Sequence, residues 1–156
     1  MVGIPRRGER LTDADALRPA EFGFPRTELR RSLVAAILRG EKTSTSGLLS
    51  DFQRDGEALP AVGERFRLVD ELDRTVGIIE TTEVRVTTIG EVDLAFALEE
   101  GEGFATVADW REAHERFWLS YADETRAWLK DPDWRPTDST PIVCERFHLV
   151  EPLPDA

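Results

Sequence analysis

Leu38-Arg39-Gly40-Glu41-Lys42-Thr43-Ser44-Thr45-Ser46-Gly47 (38–47) is the stretch on which the reading of this chain turns. Upstream of it, Leu29, Leu33, Ile37 and Leu38 recur at helical spacing behind Thr27, an acceptable N-cap. A helix therefore runs up to Gly40, which supplies a left-handed stop. Beyond the stop, the hydroxyls of Thr43, Ser44, Thr45 and Ser46 crowd beside Lys42, and the chain's only other lysine is Lys130. An arginine at 42 would bind an anion but could not serve as a base, because its guanidinium does not deprotonate in proteins. A lysine can, once burial disfavours its charged form. Lys42 and Thr45 are thus a candidate base and nucleophile, provided they lie within hydrogen-bond reach. In a regular strand they point to opposite faces, so the pairing requires a bulge or a tight turn. The plainer reading is a short strand or a solvated Ser/Thr loop after a helix.

Outward from this stretch, residues 1–21 are polar, carry Gly and Pro early and show no period, and read as an N-terminal arm. Asp51–Gly63 is turn-rich, with Gly56, Pro60 and Gly63, and leads into Phe66, Leu68 and Val69: strand, loop, strand. Val76–Val86 is the longest strand candidate. Its alternation puts Ile78, Thr82, Val84 and Val86 on one face and Glu83 and Arg85 on the other. Asp93 caps a short helix that Gly101 and Gly103 end, and Thr106 with Asp109 resembles a capping box opening a longer helix. On that helix Trp110, His114, Phe117 and Tyr121 share a face. A linker with Pro132 and Pro136 precedes a last strand, Pro141–Val150, and residues 151–156 read as a tail.

The last strand carries an anomaly. Alternation places Glu145 in one row with Val143, Phe147 and Leu149, and a carboxylate on a core-facing row needs a partner or a pocket. Either an ion pair to an arginine or a role in a pocket accounts for it. Glu99, Glu100 and Glu102 form an acidic run that reads as a solvated helix end, although one of them can face a cleft. His114 reads as a core or edge histidine bonded to backbone, and Trp110 as packing rather than a base-stacking platform.

The chain has 156 residues, with 31 acidic and 20 basic side chains and a net charge of −11. That length fits one domain, taken here as residues 22–150. The longest apolar run is Leu33–Leu38, against roughly 20 residues for a membrane span, so no membrane association is expected. The start lacks the apolar core of a secretory signal, and a cytoplasmic location is the expectation. One cysteine, Cys144, and two histidines, His114 and His148, exclude a zinc cluster, and no calcium-loop spacing occurs, so no metal and no cofactor are expected. The acidic balance opposes phosphate-rich polymers over most of the surface, which argues against DNA and restricts RNA to a local contact.

The order of these segments resembles the ASCH family, small domains related to the PUA domains of RNA-modifying proteins. The residues that carry the likeness are Leu38-Arg39-Gly40-Glu41-Lys42-Thr43-Ser44-Thr45-Ser46, Gly63-Glu64, Thr81-Thr82-Glu83-Val84 and Glu99-Glu100-Gly101-Glu102-Gly103. Trp110-Arg111-Glu112-Ala113-His114 and Pro141-Ile142-Val143-Cys144-Glu145-Arg146-Phe147 complete it, and match the longer bacterial branch. The resemblance implies an α+β fold, a PUA-like mixed β-barrel of about six strands with flanking helices and a cleft beside the first helix. It also implies RNA association, with hydrolysis of acylated cytidine nucleosides in some members and RNA cleavage in others. Carried across, the catalytic set is Lys42, Thr45 and Glu100, and in a hydrolase reading either Glu100 or Glu145 orients the lysine or protonates the leaving amine. Thr43, Ser44, Ser46, Glu145, Arg146 and Trp110 are then the candidate ligand contacts. The expected partner is a nucleoside or a short single-stranded RNA. The competing readings are a single-strand ribonuclease and a non-catalytic RNA-binding or regulatory module.

Overall fold

The expected helix starts and stops are built from the residues that announce them. In the computed structural model, which describes residues 14–153, the hydroxyl of Thr27 accepts the Arg30 N–H and starts α1 (Glu28–Leu38). Gly40 then turns the chain with φ +78°, and the N–H groups of Glu41 and Lys42 both return to Ala36 O. Asp93 caps α3 (Leu94–Glu99), and Thr106 with Asp109 forms a complete capping box on α4 (Val107–Leu119). The long helix expected to carry Tyr121 instead breaks: α4 ends at Leu119, and Tyr121 is the N-cap position of α5 (Ala122–Leu129).

The strands are β1 (Pro19–Ala20), β2 (Ser44–Leu48), β3 (Arg65–Val69), β4 (Thr75–Thr88) and β5 (Pro141–Pro152). They form one mixed sheet in the order β1-β3-β4-β5-β2, curled into a half-barrel, with β1 parallel to β3 and the other pairs antiparallel. Among the described residues the sheet has five strands, against about six expected. Residues 49–54, read as part of a strand or loop, are a short helix, α2 (Leu49–Arg54), without a side-chain cap to signal it. The segment read as an arm is in part structural: Ala14 is buried against Ile78 and Leu153, and Pro19–Ala20 supply β1. Residues 1–13 of that arm lie outside the described residues, as do 154–156 of the expected tail, whose first two residues extend β5.

Of the two register shifts in the β4–β5 ladder, the one at Ile78/Ile79 leaves Val150 of β5 without a partner, and the one at Thr81/Glu83 leaves Thr82 of β4 without one and so alters the faces of β4. Ile79, Thr81, Val84 and Val86 pair with Leu149, Phe147, Glu145 and Val143 and share their face, whereas Ile78, expected beside Val84, packs on Ala14 instead. A bulge adds one residue to one strand only, so every later side chain changes sides. The two faces bury separate cores. One, under α1, contains Phe22, Leu33, Val34, Ile37, Phe66, Ile79 and Phe147; the other, under α3 and α4, contains Leu48, Phe96, Trp110, Trp118, Ile142 and Cys144. No helix of the described residues is long and apolar enough to cross a membrane.

The closest backbone approach joins the loop after α3 to the start of β2. Gly101 has φ +67°, and a Cβ there would stand 2.3 Å from Glu41 O and 2.7 Å from Lys42 Cα. Gly103, at φ +84°, has nothing within 4 Å of the same position. Gly103→Ala is therefore expected to cost about 1 kcal/mol of left-handed strain. Gly101→Ala adds overpacking and should cost about 3 kcal/mol or more. Urea denaturation of the two variants checks this, and equal losses would refute the steric account.

Candidate active site

The segment after Gly40 first serves to close the end of a helix. The last carbonyls of a helix have no partners within it and must find them elsewhere. Here the Ser44 hydroxyl donates to Phe96 O (3.1 Å), the Thr43 N–H donates to Glu99 O (2.8 Å), and Lys42 Nζ donates to Glu100 O (3.2 Å). The Thr43 hydroxyl reaches Glu99 O at 3.5 Å. Three of the hydroxyl or amine groups expected to meet a ligand are thus engaged with α3.

Lys42 lies at the centre of a buried charge cluster. Its side chain and that of Glu100 are each 1% exposed, and Nζ stands 3.5 Å from Glu100 Oε1 and 3.5 Å from Glu102 Oε2 while donating to Ser44 O at 2.9 Å. Every one of these neighbours is an acceptor, so the geometry is that of an ammonium ion. Glu100 is held from all sides: Oε2 accepts from the Trp110 indole N–H and from the Ser46 hydroxyl (3.0 Å), and Oε1 from His114 Nε2 (3.2 Å). Burial alone would raise its pKa, but the charges of Lys42 and His114 and the bonds from His114 and Trp110 reverse this and bring it down to about 2. His114 stacks on Trp110 and gives its other nitrogen, Nδ1, to Trp110 O at 2.8 Å. Both ring nitrogens face acceptors, which requires an imidazolium. Burial opposes that charge, and the Glu100 carboxylate overcomes the opposition, leaving the His114 pKa raised.

Glu100, Glu102 and His114 bring ligand-type atoms within 4.8 Å of one another. A divalent cation would have to displace Lys42 from both carboxylates and take a proton from His114, so the protein's own cations occupy the place a metal would take.

The other face of β2 has different company. Thr45 is the register partner of Glu145 across the β2–β5 ladder, and Val84 lies beyond it on β4. Thr45 therefore sits opposite Ser44 and Ser46, the latter bound to the same Glu100 carboxylate as Lys42, because β2 is regular and no bulge turns it. Both Thr45 and Glu145 are half-buried, and among the described residues neither side chain has a hydrogen bond or an ion pair. The arginine that might have paired Glu145 is taken: Arg18 donates from Nε to Glu64 (3.0 Å) and lies 3.7 Å from Glu57. Burial, reinforced by the charges of Glu57 and Glu64 against those of Arg18 and Lys42, pushes Glu145 up to about 7. Arg18, Glu57 and Glu64 line a groove of about 760 Å³ with Pro19, Glu21 and Asp55, beside the approach to α1.

Lys42 adjoins both faces, since Nζ also lies 5.9 Å from the ring of Phe22 in the α1 core. Buried Arg30 fixes the Phe22 turn by donating to Phe22 O and Gly23 O. Arg146, a candidate ligand contact, is instead bound to Glu99 (2.6 Å) and Glu83 and lies over Phe96. Glu102 and His114 belong to the cluster although neither was expected there. The i, i+4 spacing of Trp110 and His114 was legible, but nothing in the chain tied that pair to Lys42.

The family model of the ASCH domain matches residues 20–151. The chain belongs to the ASCH domain family. This ASCH domain is similar to a solved protein of Enterococcus faecalis at 25% identity and TM-score 0.75, covering 94% of this chain and 87% of that one. It is also similar to an ASCH domain from Lactobacillus crispatus at 25% identity and TM-score 0.73, covering 95% and 87%. No curated protein matches it.

Two carboxylates with opposite shifts give opposite expectations. Glu100, depressed from 4.5, contributes stability above that pH, and the contribution is lost as pH falls from 4.5 toward 2. Glu100→Gln should destabilise the domain by about 3–5 kcal/mol at neutral pH, since it strands Lys42 in the interior. Glu145, raised from 4.5 to about 7, costs nothing below 4.5 and its full penalty above 7. Glu145→Gln should therefore gain on the order of 2–3 kcal/mol at pH 8 and nothing at pH 4. Urea titrations at the two pH values check both signs; a pH-independent effect of Glu145→Gln would contradict the assignment.

Proposed function

We propose that this ASCH domain binds a nucleoside carrying an acylated exocyclic amine, free or at the unpaired end of an RNA, and hydrolyses the amide. The observation that carries this reading is the partition of β2. Lys42 is fixed as a buried positive charge, while Thr45 on the other face keeps a free hydroxyl opposite Glu145. The groove lined by Arg18, Glu57 and Glu64, three of the charges that act on Glu145, has the volume of a small-ligand site, and its lining of Glu21, Asp55, Glu57 and Glu64 around one arginine suits an uncharged nucleoside better than a phosphate chain.

Within this reading Lys42 acts as a charge and not as a base. An ammonium surrounded by acceptors cannot take a proton from Thr45, but it favours the negative charge that develops on a carbonyl oxygen under attack. Glu102 is the most replaceable of its partners, at 3.5 Å and about one-fifth exposed. Glu100 stays ionised at any pH where the domain works and keeps Lys42 and Trp110 in place. A second reading, a binding module without turnover, draws support from the same cluster, since every group around Lys42 is already satisfied by the protein.

Purified protein incubated with N4-acetylcytidine and with a single-stranded RNA, with products separated by chromatography, tests the choice. Deacylation that falls on the order of 100-fold in Thr45→Val, with an unchanged melting temperature, is the expected result. RNA cleavage without deacylation would replace the amidohydrolase by a ribonuclease. Nucleoside binding without either product would establish the binding module.

A further inference from the structure

Amide hydrolysis needs a group that takes a proton from the attacking water and returns one to the leaving amine. The structure removes the obvious candidates one by one. Lys42 and His114 donate from every nitrogen position that faces a neighbour. Glu100 is buried, ionised and engaged by Trp110, Ser46, His114 and Lys42. Glu102 is ion-paired to Lys42 on the α3 side of β2. Glu64 is bound by Arg18, and Cys144 is a buried thiol pushed up to about 12.

Glu145 is different in each respect. Its carboxylate has no hydrogen bond and no ion pair among the described residues, it stands directly across from the free Thr45 hydroxyl, and it is half-buried on an otherwise apolar row. The groups that act on it are Glu57 after α2, Arg18 before β1, Glu64 before β3 and Lys42 before β2. A carboxylate kept without a partner at that cost is poorly explained by folding, because glutamine or an apolar residue would fit the row without it.

We propose that Glu145 is the proton-transfer group of the hydrolysis, with Thr45 as the hydroxyl that orients the attacking water. This rests on the reading of the domain as a nucleoside amidohydrolase. The water oxygen bonds to the acyl carbon as one of its protons passes to the Glu145 carboxylate. The carbon–nitrogen bond then breaks as that proton passes to the exocyclic nitrogen. The products are a carboxylic acid and the free nucleoside amine, and Glu145 is returned to its ionised form. Burial and the charges of Glu57 and Glu64 place its titration at about 7, where a carboxylate serves both steps.

The test is the pH dependence of N4-acetylcytidine hydrolysis by the wild type, Glu145→Gln, Glu145→Asp and Thr45→Val. In the wild type kcat should rise with pH to a plateau through an inflection near 7, because the base must be ionised. Glu145→Gln should lose at least about 100-fold in kcat with KM little changed, and should lose the inflection. Glu145→Asp should recover part of the rate, and Thr45→Val should be slow but keep the inflection. Glu145→Gln breaks no hydrogen bond, and its melting temperature should equal or exceed that of the wild type. Wild-type hydrolysis that persists in Glu145→Gln, or that keeps its inflection there, overturns the assignment of Glu145 alone. A wild type that hydrolyses no acylated nucleoside overturns the amidohydrolase reading and this assignment with it.

Discussion

The arrangement of this domain depends on the burial of one ammonium ion. Taking Lys42 and Glu100 out of water together is expensive, and it is sustained only when the remaining hydrogen-bonding capacity of both is met. It is met here by groups from three parts of the chain: the backbone of β2 with its Ser46 hydroxyl, the end of α3, and the Trp110–His114 pair on α4. That requirement explains the close approach at Gly101, which brings the Glu100 loop onto the Lys42 backbone. It also explains why α4 presents an indole N–H and an imidazole at adjacent turns on its inner face. The cluster pins the α3–α4 layer to the sheet at the point where α1 hands over to β2.

A strand has two faces, and once the cluster claims Lys42, Ser44 and Ser46, the residue between the last two is left to the opposite side. Thr45 thereby joins Glu145. The rigid, fully satisfied side of β2 and the unsatisfied side differ in what they can do. Groups with every lone pair and proton occupied hold a geometry, whereas an unpartnered hydroxyl beside an unpartnered carboxylate is available to a substrate. The two carboxylates show this division in their opposite shifts, one driven down to about 2 by cations and the other up to about 7 by burial and neighbouring acids.

Local devices were readable in the chain because they depend on residues a few positions apart. Thr27, Asp93 and the Thr106–Asp109 box each act within one helical turn. The short helix at Leu49–Arg54 was not readable, since Leu48 offers no capping side chain. The faces of β4 were misplaced because the bulge at Thr82 follows from pairing with β5, which leaves no mark on local alternation. At the site, the anomaly of Glu145 was visible from its row alone. The separation of Thr45 from Lys42 follows from β2 being a regular strand, which the hydroxyl-rich composition left open against a loop. Trp110 and His114 show the limit most clearly: their spacing marks a helix face, but that the face meets a lysine 68 positions earlier than Trp110 is a property of the sheet order.

Charge then bears on the size and kind of ligand. The groove whose charges act on Glu145 is lined by four carboxylates and one guanidinium, and that guanidinium is already shared by two of the acids. Each uncompensated carboxylate repels a phosphate about 8 Å away by on the order of 2 kcal/mol at the dielectric of a protein surface. The whole chain, at −11, adds a field of the same sign. A phosphodiester would meet opposition here that an uncharged ribonucleoside does not, and the opposition would deepen as Glu145 ionises. The same acids that raise the Glu145 pKa toward neutrality thus also select against the polymer. In the proposed hydrolysis, proton transfer and choice of ligand are two consequences of one charge distribution.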